Sequence, residues 1–550
     1  MINNVQVVAR LDPSTRSRAI ADAAGGGLDL VVVGGGVVGC GIAVDAAARG
    51  LTVALFERDD LGAGASGRTS KLVHGGLRYL ERLDLRLVRE ALHERSVLLR
   101  NAGDLVAPIR FLLPVARRGV ASGSVGAGLT LYDALAGRRS PLPRHRRLDS
   151  RELHEAAPGL DARLVGGFEF WDATVDDARL TVTLARTAAT LGARIASRVE
   201  VTGLLRAGGR VVGVRAVDRL SGDEVEARAP LVVCAVGAET TLLQRRLAAT
   251  PVVPTAPSKG AHVVVPRELV DSSAALITRT SDSVLFAIPW NDHWLLGTTD
   301  TPWRNPAVQP TATEEDARYL LDQANRILAR PLELGDVVAG YAGTRPLVAA
   351  SGAAATARLS RRHAVVRSSD GLVVVAGGKL TTYRLLARDA VDAALGPRAA
   401  RSLPSPTEAL PLVGQEQTPA TEQPATALLP PASADRLRRR YGTLVAEVLD
   451  PARDDPALLD PLPGAPGYLV AEVLYAATHE GALDLEDVLA RRTHVAIETR
   501  DHGVRAAEVA ARLVSPALGW DEARIQRSVA SYRSLVAATS PAADAVAVAS

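Results

Sequence analysis

Cysteine is nearly absent from this chain of 550 residues: Cys40 and Cys234 are the only two, each inside an apolar run. Both therefore read as small buried residues, and neither a disulfide framework nor a metal site is expected. Excess charge of one sign is also missing. The net charge of +3 gives the molecule as a whole no case for binding nucleic acid. No stretch of about eighteen apolar residues occurs, and residues 1–27 carry charges throughout without an apolar core of signal-peptide length. A cytoplasmic chain without a membrane span is expected. What is abundant is hydrophobic content, 47% of the chain, enough for two or three domains with a sizeable core.

The apolar run Leu28 to Val33 reads as a buried parallel strand that enters Gly34-Gly35-Gly36-Val-Val-Gly39 and then an alanine-rich helix. In such a turn Gly34 permits the bend, Gly36 lets the backbone approach a pyrophosphate, and Gly39 lets helix and strand pack closely. A second strand, Leu51 to Phe56, ends at Glu57, whose carboxylate is placed to accept hydrogen bonds from an adenosine ribose. Arg58 would suit a 2′-phosphate, but Glu57 repels one, so NADP is disfavoured and NAD and FAD remain.

Thirteen residues after Glu57 comes Ser70-Lys-Leu-Val-His-Gly-Gly-Leu-Arg-Tyr-Leu-Glu81. Its Gly75-Gly76 pair allows close main-chain approach to a flat ligand. Lys71, His74, Arg78 and Tyr79 add donors, charge and an imidazole, so the segment reads as a wall facing both a cofactor and a substrate.

The chain divides into an N-terminal extension, 1–27, and a nucleotide-binding α/β domain of the Rossmann type over 28–250 and 351–400. An antiparallel-sheet domain, 251–350, is inserted between them. Seven prolines between Leu403 and Pro431 mark a linker over 401–432, and amphipathic patterns at 435–449, 467–479, 484–491, 503–514 and 521–538 predict a C-terminal α-helical domain over 433–550. Between Pro108 and Arg147 eight arginines accompany a single acid, Asp133, interleaved with apolar runs. That combination suits an anionic lipid surface, with a solvated loop and a packed helix as the plain alternative.

Taken in order, Gly34-Gly-Gly-Val-Val-Gly39, the 70–80 segment, Val175-Asp-Asp-Ala-Arg-Leu180, Lys259-Gly-Ala-His262, Gly297-Thr-Thr-Asp300, Gly343-Thr-Arg-Pro346, Gly377-Gly-Lys-Leu-Thr-Thr-Tyr383 and Asp487-Val-Leu-Ala-Arg-Arg-Thr493 span nearly the whole chain. Together they resemble the motifs of the quinone-linked, FAD-dependent glycerol-3-phosphate dehydrogenase family.

The resemblance implies FAD as cofactor, oxidation of sn-glycerol 3-phosphate to dihydroxyacetone phosphate, and electron transfer to a membrane quinone. It also implies peripheral attachment to the inner face of the cell membrane and allows a homodimer. By family position Arg78, Tyr79, Arg345, Arg361 and Lys379 line the substrate anion. The catalytic group is expected among Arg345, Lys379, His262 and Arg78, with the base left open between His262, His74 and a held water. Gly34, Gly35, Gly36, Gly39, Glu57, Ser66, Thr69, Ser70, Lys71, His74, Gly75, Gly76, Val201, Gly237, Gly378, Leu380 and Thr381 are the expected cofactor contacts. The family commonly carries an asparagine before the glycine after the late strand and a tryptophan soon after it. Here the run is Val233-Cys-Ala-Val-Gly-Ala-Glu239. Two other readings remain: an oxidase that delivers electrons to oxygen, and a flavin-binding protein without turnover.

Overall fold

The computed structural model describes residues 8–116, 120–138, 140–247, 253–280, 284–348, 363–415, 426–427 and 429–539. A six-stranded sheet is built on Leu30–Val33, every residue of which is buried. Leu231–Cys234 and Val53–Phe56 pair with it in parallel on either side, Leu30 facing Leu231 and Val53. Val373–Ala376 extends the sheet beyond Leu231–Cys234, and Arg194–Ala196 extends it beyond Val53–Phe56. Strands buried on both faces need apolar residues at every position, which is why these segments read as unbroken runs.

Helices Val37–Ala48, Asp177–Thr190 and Tyr383–Leu395 pack on one face. An antiparallel meander, Val199–Ala207, Arg210–Asp218 and Glu224–Arg228, packs with helix Pro13–Ala24 on the other. The first of these helices has no polar face because almost its whole length is buried. Each of Ile42 and Val44, sealed from solvent there, stabilises the layer by about 1.5–3 kcal/mol.

The second sheet has ten strands and departs from the expected boundary at residue 251. Leu72–Val73, Val106–Val115, Arg146–Asp149 and Gly166–Val175 all lie before that boundary, yet belong to it. Val106–Val115 pairs along its length with Gly166–Val175, and Phe111 and Leu112 run parallel to Ala275 and Leu276. Prolines and an arginine interrupt the alternation of Val106–Val115, so its period of two is masked and its partner 60 residues away is not announced by a hairpin turn. The "inserted" domain is thus fed from two parts of the chain.

The described residues of the N-terminal extension and of the proline-rich linker also pack on the domains. Helix Pro13–Ala24 starts at a capping box on Asp12, and Arg16 reaches Asp218 through both guanidinium nitrogens at 3.0 and 2.5 Å. In the proline-rich stretch Thr407, Leu412 and Gln415 are buried, and Gln415 Oε1 accepts from the Leu105 amide at 2.8 Å. Proline density reports a lack of helix, not a lack of contacts.

The C-terminal helices run Pro431–Tyr441, Val445–Leu449, Val470–His479, Val495–Glu498, Val504–Leu518 and Glu522–Thr539, with a π-helical turn at Asp487–Arg492 and a small hairpin at 461–469. The expected helix at 435–449 is split at Gly442, which takes φ +56°. Buried ion pairs tie this domain to the nucleotide domain, Arg492 with Asp60 at 2.7 Å, Arg440 with Asp176 at 2.8 Å and Arg179 with Glu480, and His494 Nε2 lies 2.8 Å from Asp176 Oδ1. Among the described residues no helix is long and apolar enough to cross a membrane.

Candidate active site

The carboxyl ends of Leu30–Val33, Leu231–Cys234 and Val373–Ala376 open into one cleft of about 1030 Å³. This is where an open α/β sheet binds ligands. Gly34 turns the chain at φ +110°, and a Cβ on Gly39 would overlap the Gly34 carbonyl, so the helix can start this close to its strand only with glycine there. Gly36 caps the helix without a side-chain hydrogen bond, and Ser66 Oγ accepts from the Val37 amide at 2.9 Å. Glu57 is organised by two amides, those of Gly35 at 2.6 Å and Asp59 at 2.7 Å.

Of the expected cofactor residues, Gly34, Gly36, Glu57, Ser66, Thr69, Ser70 and His74 line the cleft. So do Gly76, Val201, Gly237, Gly378, Leu380 and Thr381. The glycine wall is pinned to the turn before the last helix: Thr381 Oγ1 accepts from the His74 amide at 3.1 Å and donates to its carbonyl at 3.2 Å. Lys379 Nζ sits 3.7 Å from the centroid of the Tyr79 ring, and both residues line the cleft.

Four expected contacts face elsewhere. Gly35 and Gly39 act in the turn and its packing. Lys71, at φ 54°, turns its side chain into the interior, where Nζ pairs with Asp177 at 2.6 Å and lies 4.8 Å from the Trp290 ring centroid. Lys71 is 1% exposed, and a polar group buried so deeply is costly without a partner, which Asp177 supplies. Gly75 is not part of the cleft lining and donates its amide to Tyr132 Oη at 2.8 Å and Asp172 Oδ1 at 3.3 Å. Arg78 has its backbone in the helical turn Leu77–Arg82, and its side chain is outside the description. Arg361 lies outside the described residues.

Arg345 and His262 enter the cleft from neighbouring strands of the large sheet, 339–345 and 258–266. The Arg345 guanidinium is held by Thr298 Oγ1 at 2.8 Å, the Thr299 carbonyl at 3.0 Å and the Lys259 carbonyl at 3.2 Å, with Asp300 at 3.4 Å. His262 Nε2 lies 2.8 Å from Ser70 Oγ, and its ring stacks on Tyr341 at 4.9 Å between centroids. Burial, then the nearby charges of Arg345 and Lys71, push the imidazole down to about 3, so it is neutral at pH 7. A Cβ on Gly297 would overlap this ring, which explains the glycine of the Gly-Thr-Thr-Asp motif.

Sequence reasoning missed Thr298 and Asp300 as the groups that orient Arg345, although their motif was visible. It also missed Asp172, which lines the cleft and anchors Arg95 at 2.5 Å and Tyr132 at 2.9 Å. Glu486 and Arg491 of the C-terminal domain reach the cleft as well. Only the fold brings those distant segments to one wall. Among the described residues no group of three or more His, Cys, Asp or Glu is placed to hold a metal ion.

Residues 29–392 match the family model described as FAD dependent oxidoreductase, and residues 405–525 match that of the C-terminal domain of alpha-glycerophosphate oxidase. Glycerol-3-phosphate dehydrogenase 2 of Mycobacterium tuberculosis is 45% identical over 537 residues, covering 96% of this chain and 92% of its own. The mitochondrial glycerol-3-phosphate dehydrogenase of Mus musculus is 36% identical, covering 91% and 72%. Among solved structures, the glycerol-3-phosphate dehydrogenase from Bacillus halodurans complexed with FAD superposes with a TM-score of 0.77 at 27% identity, over 96% of this chain and 99% of that one.

Proposed function

The chain belongs to the FAD-dependent glycerol-3-phosphate dehydrogenase family, and from that premise we propose that it oxidises sn-glycerol 3-phosphate to dihydroxyacetone phosphate and passes the electrons to a membrane quinone. FAD is the cofactor of this family. The residues fit it: the glycine-capped helix start supports a diphosphate, Glu57 a ribose, and the Gly76 and Thr381 walls a flat ring. Bound there, FAD supplies the two-electron acceptor for hydride from C2 of the substrate.

The observation that carries the substrate assignment is Arg345, a guanidinium oriented by acceptors on Ser258, Lys259, Thr298, Thr299 and Asp300 while its group lines the same cleft as His262. Its planar fork suits a phosphate oxygen pair, and Lys379 beside Tyr79 adds a second cation. Arg78 and Arg361 complete the expected anion site by family position.

His262 is the side chain best suited to take the C2 hydroxyl proton. It is neutral, it lines the cleft, and Ser70 fixes its ring. A phosphate bound to Arg345 offsets the positive charge that depresses the imidazole, so substrate binding strengthens the base. Lys379 and the start of the helix that follows Leu380–Thr382 favour negative charge at the cofactor end of the wall.

Anaerobic addition of glycerol 3-phosphate to the purified flavoprotein should bleach its flavin absorbance. A spectrum that does not change would sink the assignment. Oxygen as acceptor is the second reading, favoured by the description of the matching C-terminal family model. Peroxide yield measured against quinone-analogue reduction separates the two.

Quinone use requires access to a bilayer, and the segment 108–147 supports a peripheral, inner-face location. Helix Val120–Ala136 borders the cleft through Ser124, Gly128 and Leu131, and Leu83, Leu85 and Leu131 are exposed large apolar side chains. Arg138, Arg144 and Arg147 are exposed, whereas Arg110 and Arg146 are already engaged with Glu169 and Glu152. Arg117, Arg118 and Arg139 fall outside the described residues. Neutralising Arg138, Arg144 and Arg147 should weaken flotation with anionic liposomes; undiminished flotation would move the membrane face elsewhere.

A further inference from the structure

The strands Val53–Phe56 and Leu231–Cys234 both pair with Leu30–Val33, one on each side, so their carboxyl ends stand roughly 10 Å apart across the glycine turn. An ion pair bridges that gap. Arg58, two residues past the end of the first of these strands, donates from Nη1 to Glu239 Oε2 at 2.8 Å and from Nη2 to Oε1 at 2.7 Å. Glu239 closes the short helical turn Gly237–Glu239 that follows the second. Both residues line the cleft, beside Glu57 and Gly237, the groups at the ribose end of a dinucleotide site.

Arg58 is held in place for this. Its Nε donates to Asp59 Oδ2 at 3.1 Å, and Arg219 grips both Asp59 Oδ1, at 2.6 Å, and the Arg58 carbonyl, at 3.1 Å. The partner side is built differently: a Cβ on Gly237 meets nothing within 4 Å, and Gly237 takes φ +57°. The turn that carries Glu239 leaves the cleft open beside Gly237, while the arginine is braced from its own strand. The pair is formed between protein side chains and needs no third group.

We propose that Arg58 and Glu239 form a gate over the adenosine end of the cofactor site, which must part for FAD to enter or leave. Glu239 lies in the stretch where the Val233–Glu239 run departs from the commoner family pattern. The arginine thereby takes a role other than holding a 2′-phosphate. With side chains 32% and 22% exposed, the bridge is open to screening by salt. The proposal stands on the dinucleotide fold and does not depend on the substrate assignment.

A gate differs from a contact in its kinetics. A side chain that holds adenosine slows release alone, whereas a bridge that must open slows entry and release by the same factor. FAD release from the holoenzyme can be followed by recovery of flavin fluorescence, and rebinding by its quenching when FAD is added to the deflavinated protein. Glu239→Gln should raise both rates about fivefold and leave Kd within about twofold, the scale of one partly exposed bidentate pair. Raising salt from about 0.05 to 0.5 M should do the same to the unaltered protein and not to the variant. The exchanged pair Arg58→Glu with Glu239→Arg should restore slow exchange. Faster release with unchanged entry would make Glu239 an adenosine contact, and unchanged rates in both directions would make the pair a strut; either result overturns the gate. The salt series keeps the test decisive if a variant does not fold.

Discussion

Ser70 Oγ and His262 Nε2 lie 2.8 Å apart, and this hydrogen bond joins the glycine wall of the nucleotide domain to the large sheet that carries Arg345. The two residues are 192 positions apart in the chain. Their bond fixes the imidazole against Tyr341 and aligns the proposed base with the proposed anion site. Ser70→Ala should therefore lower kcat by about 10–100-fold, the usual scale for a group that orients a general base, with a small change in KM. Stopped-flow flavin reduction checks this; an unchanged reduction rate would remove the orienting role.

Arg345→Ala should raise KM for glycerol 3-phosphate by about 10–100-fold, corresponding to the loss of roughly 1.5–3 kcal/mol from charge-assisted hydrogen bonds. FAD should remain bound, because Arg345 belongs to the large sheet and not to the glycine turn. Steady-state kinetics with the flavin absorbance as a reference measures both. Loss of FAD together with activity would place Arg345 in the cofactor site instead.

The buried neutral His262 makes a signed prediction about pH. Its folded-state pKa, about 3, lies below the unfolded value of 6.5, so as pH falls below 6.5 the unfolded chain takes up a proton that the folded one refuses. Stability should decline from pH 6.5 toward 3, by up to about 1.4 kcal/mol per pH unit from this group. His479, pulled down to about 4 by burial, adds a second contribution of the same sign. Urea midpoints between pH 5 and 7 should show a shallower slope in His262→Gln than in the unaltered protein; equal slopes would refute the neutral buried imidazole.

At the cleft wall, Asp172 accepts from Arg95, Tyr132 and the Gly75 amide. Burial raises its carboxyl, and Arg95 pulls it back toward ionisation. Asp172→Ala leaves the Arg95 charge buried without its partner and should cost about 3–5 kcal/mol. Tyr132→Phe removes one hydroxyl and should cost about 1–3 kcal/mol. Chemical denaturation ranks the two; a costlier Tyr132→Phe would mean that the hydroxyl, not the ion pair, holds the wall.

The C-terminal domain is locked by Asp60, which receives Arg491 Nε at 2.5 Å and Arg492 Nη1 and Nη2 at 2.7 Å. Asp60→Ala strands the buried Arg492 guanidinium, while Arg491 keeps Glu486 and Asp487, and should cost about 3–5 kcal/mol. The loss should extend to FAD retention, since Arg491 and Glu486 line the cleft. Thermal unfolding with and without added FAD measures it, and a variant of unaltered stability would show the docking to be carried by apolar packing alone.

The glycine turn, its strand and the wall at 70–80 were legible because each function there needs a residue type at a fixed short spacing. Gly34, Gly36 and Glu57 are set by local backbone geometry, which leaves a mark in sequence. The same holds for the buried parallel strands, whose two covered faces demand apolar residues throughout. Lys71 was misread for a complementary reason. Its neighbours Ser70 and His74 line the cleft, but its left-handed backbone at φ 54° swings the side chain inward, toward an aspartate 106 residues away.

By itself the sequence determined the glycine turn, the apolar layers around it and the helical character of the C-terminal region, since these follow from residue identities a few positions apart. Tertiary structure alone decided that Val106–Val115 joins the large sheet, that Ser70 meets His262, that Glu239 meets Arg58 and that Asp60 accepts Arg491 and Arg492. Those partners are separated by tens to hundreds of residues, and a hydrogen bond or ion pair across such a distance imposes no periodicity on either segment. Only the packed core fixes which pairs are brought within about 3 Å.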